Sequence, residues 1–159
     1  MATAEPHRRR GDSRRPQSRP FAPTTGALGP PDPEGVVRSL GLAVDAARRA
    51  RRAITLVSLE VPSPLDEPAL ARVATTVRHT VRDTDGLWRD GSTTLLLVLS
   101  DTDGPNSEPA LARLRLRLRS EGFGAVLMGR AAAAPGISAA DLLALAREDR
   151  RVISYGSPD

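Results

Sequence analysis

The side chains that enzymes most often use as nucleophiles, bases or metal ligands are scarce in this sequence. It contains no cysteine and only two histidines, His7 and His79. All 23 basic residues are arginine, so lysine is absent. These counts exclude disulfides, zinc–thiolate sites, iron–sulfur clusters and mechanisms that need a Schiff-base or P-loop lysine. A serine triad would have to use His79, which we place on the solvent side of a helix. We predict no bound metal and no cofactor.

The polar residues that do cluster lie between residues 82 and 104. Asp90 and Gly91 are a strong signal for a hairpin, because a type I′ turn requires positive φ at both central positions. Three neutral hydroxyl residues, Ser92, Thr93 and Thr94, follow. Residues 101–104 begin like a calcium-binding loop, but a proline follows and the later ligands are missing. We interpret 101–104 as an ordinary turn.

Hydrophobic spacing predicts the elements that must position this cluster. One predicted helix spans 34–52, and three more begin at 66, 107 and 138. The predicted strands cover 53–61, a hairpin at 87–99, and 123–131. Leucine and arginine alternate over 114–119, as in a strand, but the leucine spacing at 111, 114 and 118 favours a helix. Because a hairpin lies at the centre of this mixed order, we predict an α+β fold with helices packed against a largely antiparallel central sheet.

The first 33 residues differ in composition from the rest of the chain. They hold six arginines and three carboxylates and almost no large apolar residues, whereas the other 126 residues hold 17 arginines and 16 carboxylates. Such a segment buries too little surface to offset its ordering entropy, so we predict a disordered tail at 1–33, a domain at 34–154 and a short tail at 155–159. The basic tail could contact nucleic acid or acidic lipid, but a solvated tail is the better interpretation. With no membrane-length apolar run and no signal-peptide pattern, we predict a cytoplasmic protein with no membrane contact.

The element order and the local motifs together resemble a GGDEF domain, the diguanylate cyclase domain of bacterial signalling. Residues 82–95 resemble the family stretch Arg-x-x-Asp-x-x-x-Arg-Tyr-Gly-Gly-Asp-Glu-Phe, and 97–103 resemble its apolar strand followed by Pro-x-Thr-Asp. Residues 126–129 stand where the family has Val-Ser-Ile-Gly. The resemblance covers 34–153 and implies the palm-like fold of nucleotidyl cyclases.

The departures from the family pattern bear on function. GGDEF domains join two GTP molecules into cyclic di-GMP, and carboxylates on the first strand and in the signature hairpin hold two divalent cations. The degenerate signature here runs from Asp90 and Gly91 through residues 92–94. Thr93 and Thr94 replace those hairpin carboxylates, and Ser92 replaces the second glycine. Ser58 stands where the first strand has its metal-binding aspartate, with Glu60 two residues on.

Two further losses concern the nucleotide. The family segment Phe-Lys-x-x-Asn-Asp and its glycine-containing loop are missing after the first strand, and no lysine exists to replace the family's lysines. The resemblance therefore implies a domain without cyclase activity.

The sequence retains the residue spacing of one functional site of the family. Arg82 and Asp85 occupy the positions of its inhibitory site, which binds cyclic di-GMP outside the catalytic cleft. A guanidinium can pair with a guanine edge or a phosphate, and a carboxylate can accept from guanine N–H groups. Arg89 and the arginines of 113–119 could add positive potential. The alternative is a local ion pair, since Arg82 and Asp85 are three residues apart near a helix end.

Three functions follow as hypotheses. The leading one is a non-catalytic GGDEF-like regulatory module that contacts other proteins or a second copy of itself. The second is a cyclic di-GMP receptor that uses Arg82 and Asp85. The third is a nucleic-acid accessory protein whose affinity comes from residues 1–33.

Overall fold

The computed structural model describes residues 29–62 and 66–152, so most of the predicted N-terminal tail and all of 155–159 lie outside it. The helices are α1 (Pro33–Ala50), α2 (Glu67–Thr80), α3 (Gly104–Ser120) and α4 (Ala139–Glu148). The strands are β1 (Ile54–Glu60), β2 (Gly86–Arg89), β3 (Thr94–Ser100), β4 (Leu127–Ala132) and β5 (Arg151–Val152). None of the described helices combines the length and apolar character that crossing a bilayer requires.

Each of the four helices in the described residues is preceded by a side chain that accepts a hydrogen bond from the backbone N–H three residues further on. The capping residues are Asp32, Asp66, Asp103 and Ser138. Such caps satisfy one of the four N–H groups that a helix start leaves unpaired. The cap at Asp103 starts α3 three residues earlier than the predicted residue 107. The leucine–arginine segment 114–119 is helical, as predicted.

The strands form one antiparallel sheet in the order β2-β3-β1-β4-β5. One hydrophobic cluster lies between the sheet and α2 and α3, and a second lies between the sheet and α1 and α4. Successive residues of β1 therefore point into different clusters: Leu56 faces α1 and α4, while Val57 faces α2 and α3. This is the predicted α+β fold with a largely antiparallel central sheet. The short strand β5 was not predicted.

The predicted hairpin forms, but the predicted turn type is wrong. The last paired residues of β2 and β3 are Arg89 and Leu95, so the connection is longer than two residues. The backbone N–H groups of Asp90 and Gly91 both donate to the Thr94 carbonyl, at 3.0 and 3.3 Å. Neither Asp90 nor Gly91 has the positive φ that a type I′ turn requires. The wider loop carries Ser92 and Thr93 at its tip.

Gly129 on β4 permits α4 to approach the sheet closely. A Cβ atom there would lie 2.7 Å from the carbonyl carbon of Asp149 and closer still to the Ala146 carbonyl oxygen. Glycine is therefore required by contact with the backbone and not by its own φ. The contact places the C-terminal end of α4 directly over β4, beside β1.

We expect Gly129→Ala to lower the free energy of unfolding by about 1–3 kcal/mol, because the helix backbone would have to move away from the sheet. Urea denaturation of the full chain measures this change. Gly41→Ala is the matched control: it lies inside α1, where a Cβ atom meets only the Ala139 methyl at 3.9 Å. That substitution should raise stability by up to about 1 kcal/mol through helix propensity. Equal losses in the two variants would show that α4 does not depend on the glycine.

Candidate functional site

Ser58 stands at the position of the family's metal-binding aspartate on β1, and both it and Glu60, two residues on, lie beside β3 of the signature hairpin. Ser58 pairs with Leu96 of β3 and Gly129 of β4, and Glu60 pairs with Thr94 at the start of β3. Ser58 is 0% exposed, and its hydroxyl has no hydrogen-bond partner among the described residues. A metal ligand must face an accessible cavity, whereas this hydroxyl is enclosed between the sheet and α4.

The end of α4 supplies positive charge to this region. Arg150 forms a hydrogen-bonded ion pair with Glu60 of β1. Arg147 donates to a carboxylate oxygen of Asp90 at 2.5 Å. The Asp90 side chain is 5% exposed, and within the described part of the chain its other oxygen has no hydrogen-bond partner. The carboxylates nearest the degenerate signature are thus neutralised by two arginines of the chain itself.

On the other face of the hairpin, Arg89 is held by α2. Its guanidinium donates to both carboxylate oxygens of Glu67, at 2.5 and 2.9 Å, and its side chain is 7% exposed. It also donates to the carbonyls of Gly91 and Ser92. Every nitrogen of the group has a partner, so Arg89 fixes the hairpin loop to the start of α2.

The hydroxyl residues of the signature contribute no charge to this arrangement. Thr93 and Thr94 are partly buried, and Thr94 pairs with Glu60 across the strands. Magnesium prefers several oxygen ligands, among them anionic carboxylates. Within residues 29–62 and 66–152, no group of three or more histidine, aspartate or glutamate side chains converges as it would around a metal ion.

Arg82 and Asp85 are close, but their contacts are mainly with the backbone. The Asp85 carboxylate accepts from the Arg82 N–H at 3.0 Å and from the Ser100 N–H at 2.9 Å, so both of its oxygens are used inside the fold. The two side chains approach only to 4.0 Å. The Arg82 side chain is 62% exposed and donates through one nitrogen to Thr102 and the Ser100 carbonyl.

The structure does not bring the predicted ligand-binding residues into one site. Arg82 and Asp85 precede β2, whereas Arg89 is its last residue. The two ends of this four-residue strand are about 10 Å apart at a rise of roughly 3.3 Å per residue. In α3, Arg113, Arg117 and Arg119 are exposed, while Arg115 pairs with Glu108.

Sequence reasoning missed Arg147, Arg150 and the partner role of Glu67. Arginines near a helix C-terminus ordinarily stabilise the helix dipole, so nothing in their spacing marks them as hairpin contacts. Glu67 lies at the start of α2, where an acidic residue suits the helix N-terminus, so nothing in its position marks it as an arginine partner. The close approach at Gly129 was not predicted either, although a single glycine inside a strand is a signal that could have indicated it.

Two glutamates titrate differently from isolated ones because of arginines. Hydrogen bonding from Arg89 lowers the pKa of Glu67 below its ordinary value of 4.5. Hydrogen bonding from Arg115, with a smaller effect of Arg130, lowers the pKa of Glu108. Both glutamates therefore favour the charged form in the folded protein.

The fold matches solved GGDEF structures. No protein-family model matches the sequence, and no curated protein matches it at a significant level. The GGDEF domain of DgcB from Caulobacter crescentus, in complex with c-di-GMP, is 15% identical with a TM-score of 0.66, covering 93% of this chain and 90% of that one. The active GGEEF domain of a diguanylate cyclase from Vibrio cholerae is 14% identical with a TM-score of 0.64, covering 77% and 88%.

A further match includes a protein partner. Diguanylate cyclase SiaD from Pseudomonas aeruginosa, solved in complex with its activator SiaC, is 18% identical with a TM-score of 0.64. The alignment covers 77% of this chain and 54% of SiaD. These likenesses establish the fold: the chain has the fold of GGDEF domains, as the sequence resemblance predicted.

We expect Glu67→Gln to lower the free energy of unfolding near pH 7 and to have a smaller effect as the pH falls. The folded-state pKa of Glu67 is depressed, so its contribution is present above the ordinary value of 4.5 and is lost as the pH falls through the lower value. Urea titrations of wild type and variant over this range measure the difference. The control is Glu148→Gln, an exposed α4 carboxylate without an ion pair to another described residue. A difference that stays constant with pH would contradict the role of the Arg89 pair.

Proposed function

We propose that this chain is a non-catalytic regulatory module with the GGDEF fold, which acts through contacts with other proteins or with a second copy of itself. The observation that carries the proposal is the chemistry beside the degenerate signature. Arginines 147 and 150 pair with the carboxylates there, and hydroxyl residues take the positions where the cyclases hold cations.

The electrostatics around Glu60 support this proposal. A divalent cation and the phosphates of GTP need opposite surroundings, with anions around the metal and cations around the phosphates. The one carboxylate that β1 offers beside the hairpin already forms an ion pair with Arg150. Binding a metal at Glu60 would require that pair to break, and Ser58, Thr93 and Thr94 would add no negative charge in return.

The short connection between β1 and α2 also supports the proposal that the module is non-catalytic. Only six residues separate Glu60 from Glu67, and the Val61 N–H donates to the Thr93 carbonyl at 2.8 Å, so β1 is tied to the hairpin loop. The family's longer glycine-containing connection has no counterpart in this length of chain. A nucleotide bound as in a cyclase would lack those backbone contacts.

Incubated with GTP and magnesium or manganese, the purified chain should form no cyclic di-GMP, because the metal ligands are absent. Chromatography of the reaction mixture measures the product, with an active diguanylate cyclase as the positive control. Arg147→Ala/Arg150→Ala, which frees Asp90 and Glu60, should remain inactive as well. If the wild type forms cyclic di-GMP and Glu60→Gln abolishes this activity, the chain is an active cyclase and the proposal is overturned.

A second candidate, a cyclic di-GMP receptor, is favoured by one observation. The guanidinium of Arg82 is largely exposed, and only one of its nitrogens donates a hydrogen bond to another described residue, so it can still meet a phosphate or a guanine edge. The contribution of Asp85 is weaker, since both of its oxygens accept backbone N–H groups. Releasing them would leave two backbone donors unpaired, each at a cost of about 1–3 kcal/mol.

Isothermal titration calorimetry with cyclic di-GMP separates the two candidates. We expect no saturable heat from the wild type, because Arg89 and Asp85 are committed to internal contacts. Saturable heat that Arg82→Ala removes and Arg82→Lys restores in part would establish the receptor instead. Arg82 suits this test because its side chain is exposed, whereas replacing the buried Asp85 would also disturb the fold.

The remaining expectations stay predictions from the sequence. The nucleic-acid hypothesis rests on residues 1–33, of which the structure describes only 29–33. A bacterial signalling role and a cytoplasmic location follow from the resemblance and the composition. A protein partner is in keeping with SiaD, whose structure contains its activator.

A further inference from the structure

A groove of about 230 Å³ lies at the corner where α1 ends and β1 begins. Its floor is aliphatic and is formed by Val44 and Ala47 of α1, Ile54 of β1 and Ala133 after β4. The volume exceeds the roughly 150 Å³ of an apolar cavity that holds a benzene-sized molecule. The groove therefore has room for one aliphatic side chain from outside the domain.

The rim of this groove is positively charged. Arg48, Arg51 and Arg52 line it, and all three are exposed. Arg48 lies 3.6 Å from Asp45 and Arg52 lies 3.5 Å from Asp101, so both pairs are loose and open to solvent. The side chain of Arg51 makes no hydrogen bond or ion pair with any part of the chain that the structure describes. The rim thus offers more positive charge than its own carboxylates neutralise.

The backbone at Arg51 adds a second observation. Its φ is 53°, in the left-handed region, and its N–H closes the end of α1 on the carbonyls of Ala47 and Arg48. Glycine is the usual residue at such a helix end, because a side chain there is strained. The chain holds a charged side chain at a position where glycine would stabilise the fold. A strained backbone that carries a charge unpaired among the described residues is a reason to look for function.

We infer that this groove docks a short acidic segment of a partner protein, which inserts one aliphatic side chain between its carboxylates. The inference rests on the proposed function and names the surface and the chemistry of the partner. Carboxylates complement the three arginines, and the aliphatic floor accepts the inserted side chain. A nucleic acid fits less well, because no aromatic side chain lines the groove to stack a base.

The test uses the full chain and a fluorescein-labelled peptide, Glu-Asp-Glu-Leu-Glu-Asp-Glu, followed by fluorescence anisotropy at low salt. We expect Arg51→Gly to weaken binding roughly threefold and Arg51→Glu roughly tenfold, as loss and reversal of one exposed charge. Arg51→Gly should also raise the melting temperature by about 2–4 °C, because it relieves the left-handed backbone. The matched control is Arg113→Glu, an equal charge reversal on α3, on the far side of the sheet.

Each outcome decides the inference. The basic tail contributes equally to peptide binding in every variant. If Arg51→Glu leaves the affinity unchanged, the proposed docking groove is therefore ruled out. Equal losses in Arg51→Glu and Arg113→Glu would indicate general attraction of charge and overturn it as well. So would equal binding of a peptide with serine in place of leucine, or tighter binding of a seven-nucleotide oligothymidylate. GTP turnover is measured separately, so the two proposals are tested independently. The docking inference can be wrong while the module is non-catalytic, and it can be right even if the module proves to be an enzyme.

Discussion

The contact between α4 and Gly129 is the constraint on which the charged region of this domain depends. A helix can approach a strand this closely only where the strand has no side chain, and β4 provides such a place opposite Ser58. The helix therefore ends above β1, within reach of the hairpin. Arg147 and Arg150 occupy the last turn and the residues after it, so one backbone contact positions both arginines.

The ion pairs that result connect parts of the chain that are far apart in sequence. Arg150 joins the end of α4 to β1 across 90 residues, Arg147 joins it to the hairpin across 57, and Arg89 joins the hairpin to α2 across 22. Exposed pairs of this kind contribute little to stability, but Arg89 and Asp90 are nearly buried and would be costly to leave unpaired. Their main effect is to fix where the hairpin loop lies relative to both helix layers.

Most of the fold could be predicted because its signals are local. Each helix has a capping side chain within three residues of its start, and the two faces of β1 alternate between apolar clusters. The two-residue strand β5 could not be predicted, because so short a segment carries no periodicity. The turn type was wrong because Asp90 is drawn towards Arg147, a contact that local propensity cannot report. The charged contacts around the signature could not be found either, because they depend on how α4 packs.

The surroundings of Ser58 show why the residue type at this position depends on how closely α4 packs against the sheet. In the sheet its neighbours are Leu96 and Gly129, and α4 covers it completely. A carboxylate placed there would be enclosed without a hydrogen-bond partner, and burying such a charge is far more costly than burying a hydroxyl. In this packing an aspartate at 58 would therefore need α4 to move away from β1 or a cation to enter beside it. The residue at 58, the distance of α4 from the sheet and the arginines at its end are thus coupled, and introducing an aspartate at 58 alone would lower stability.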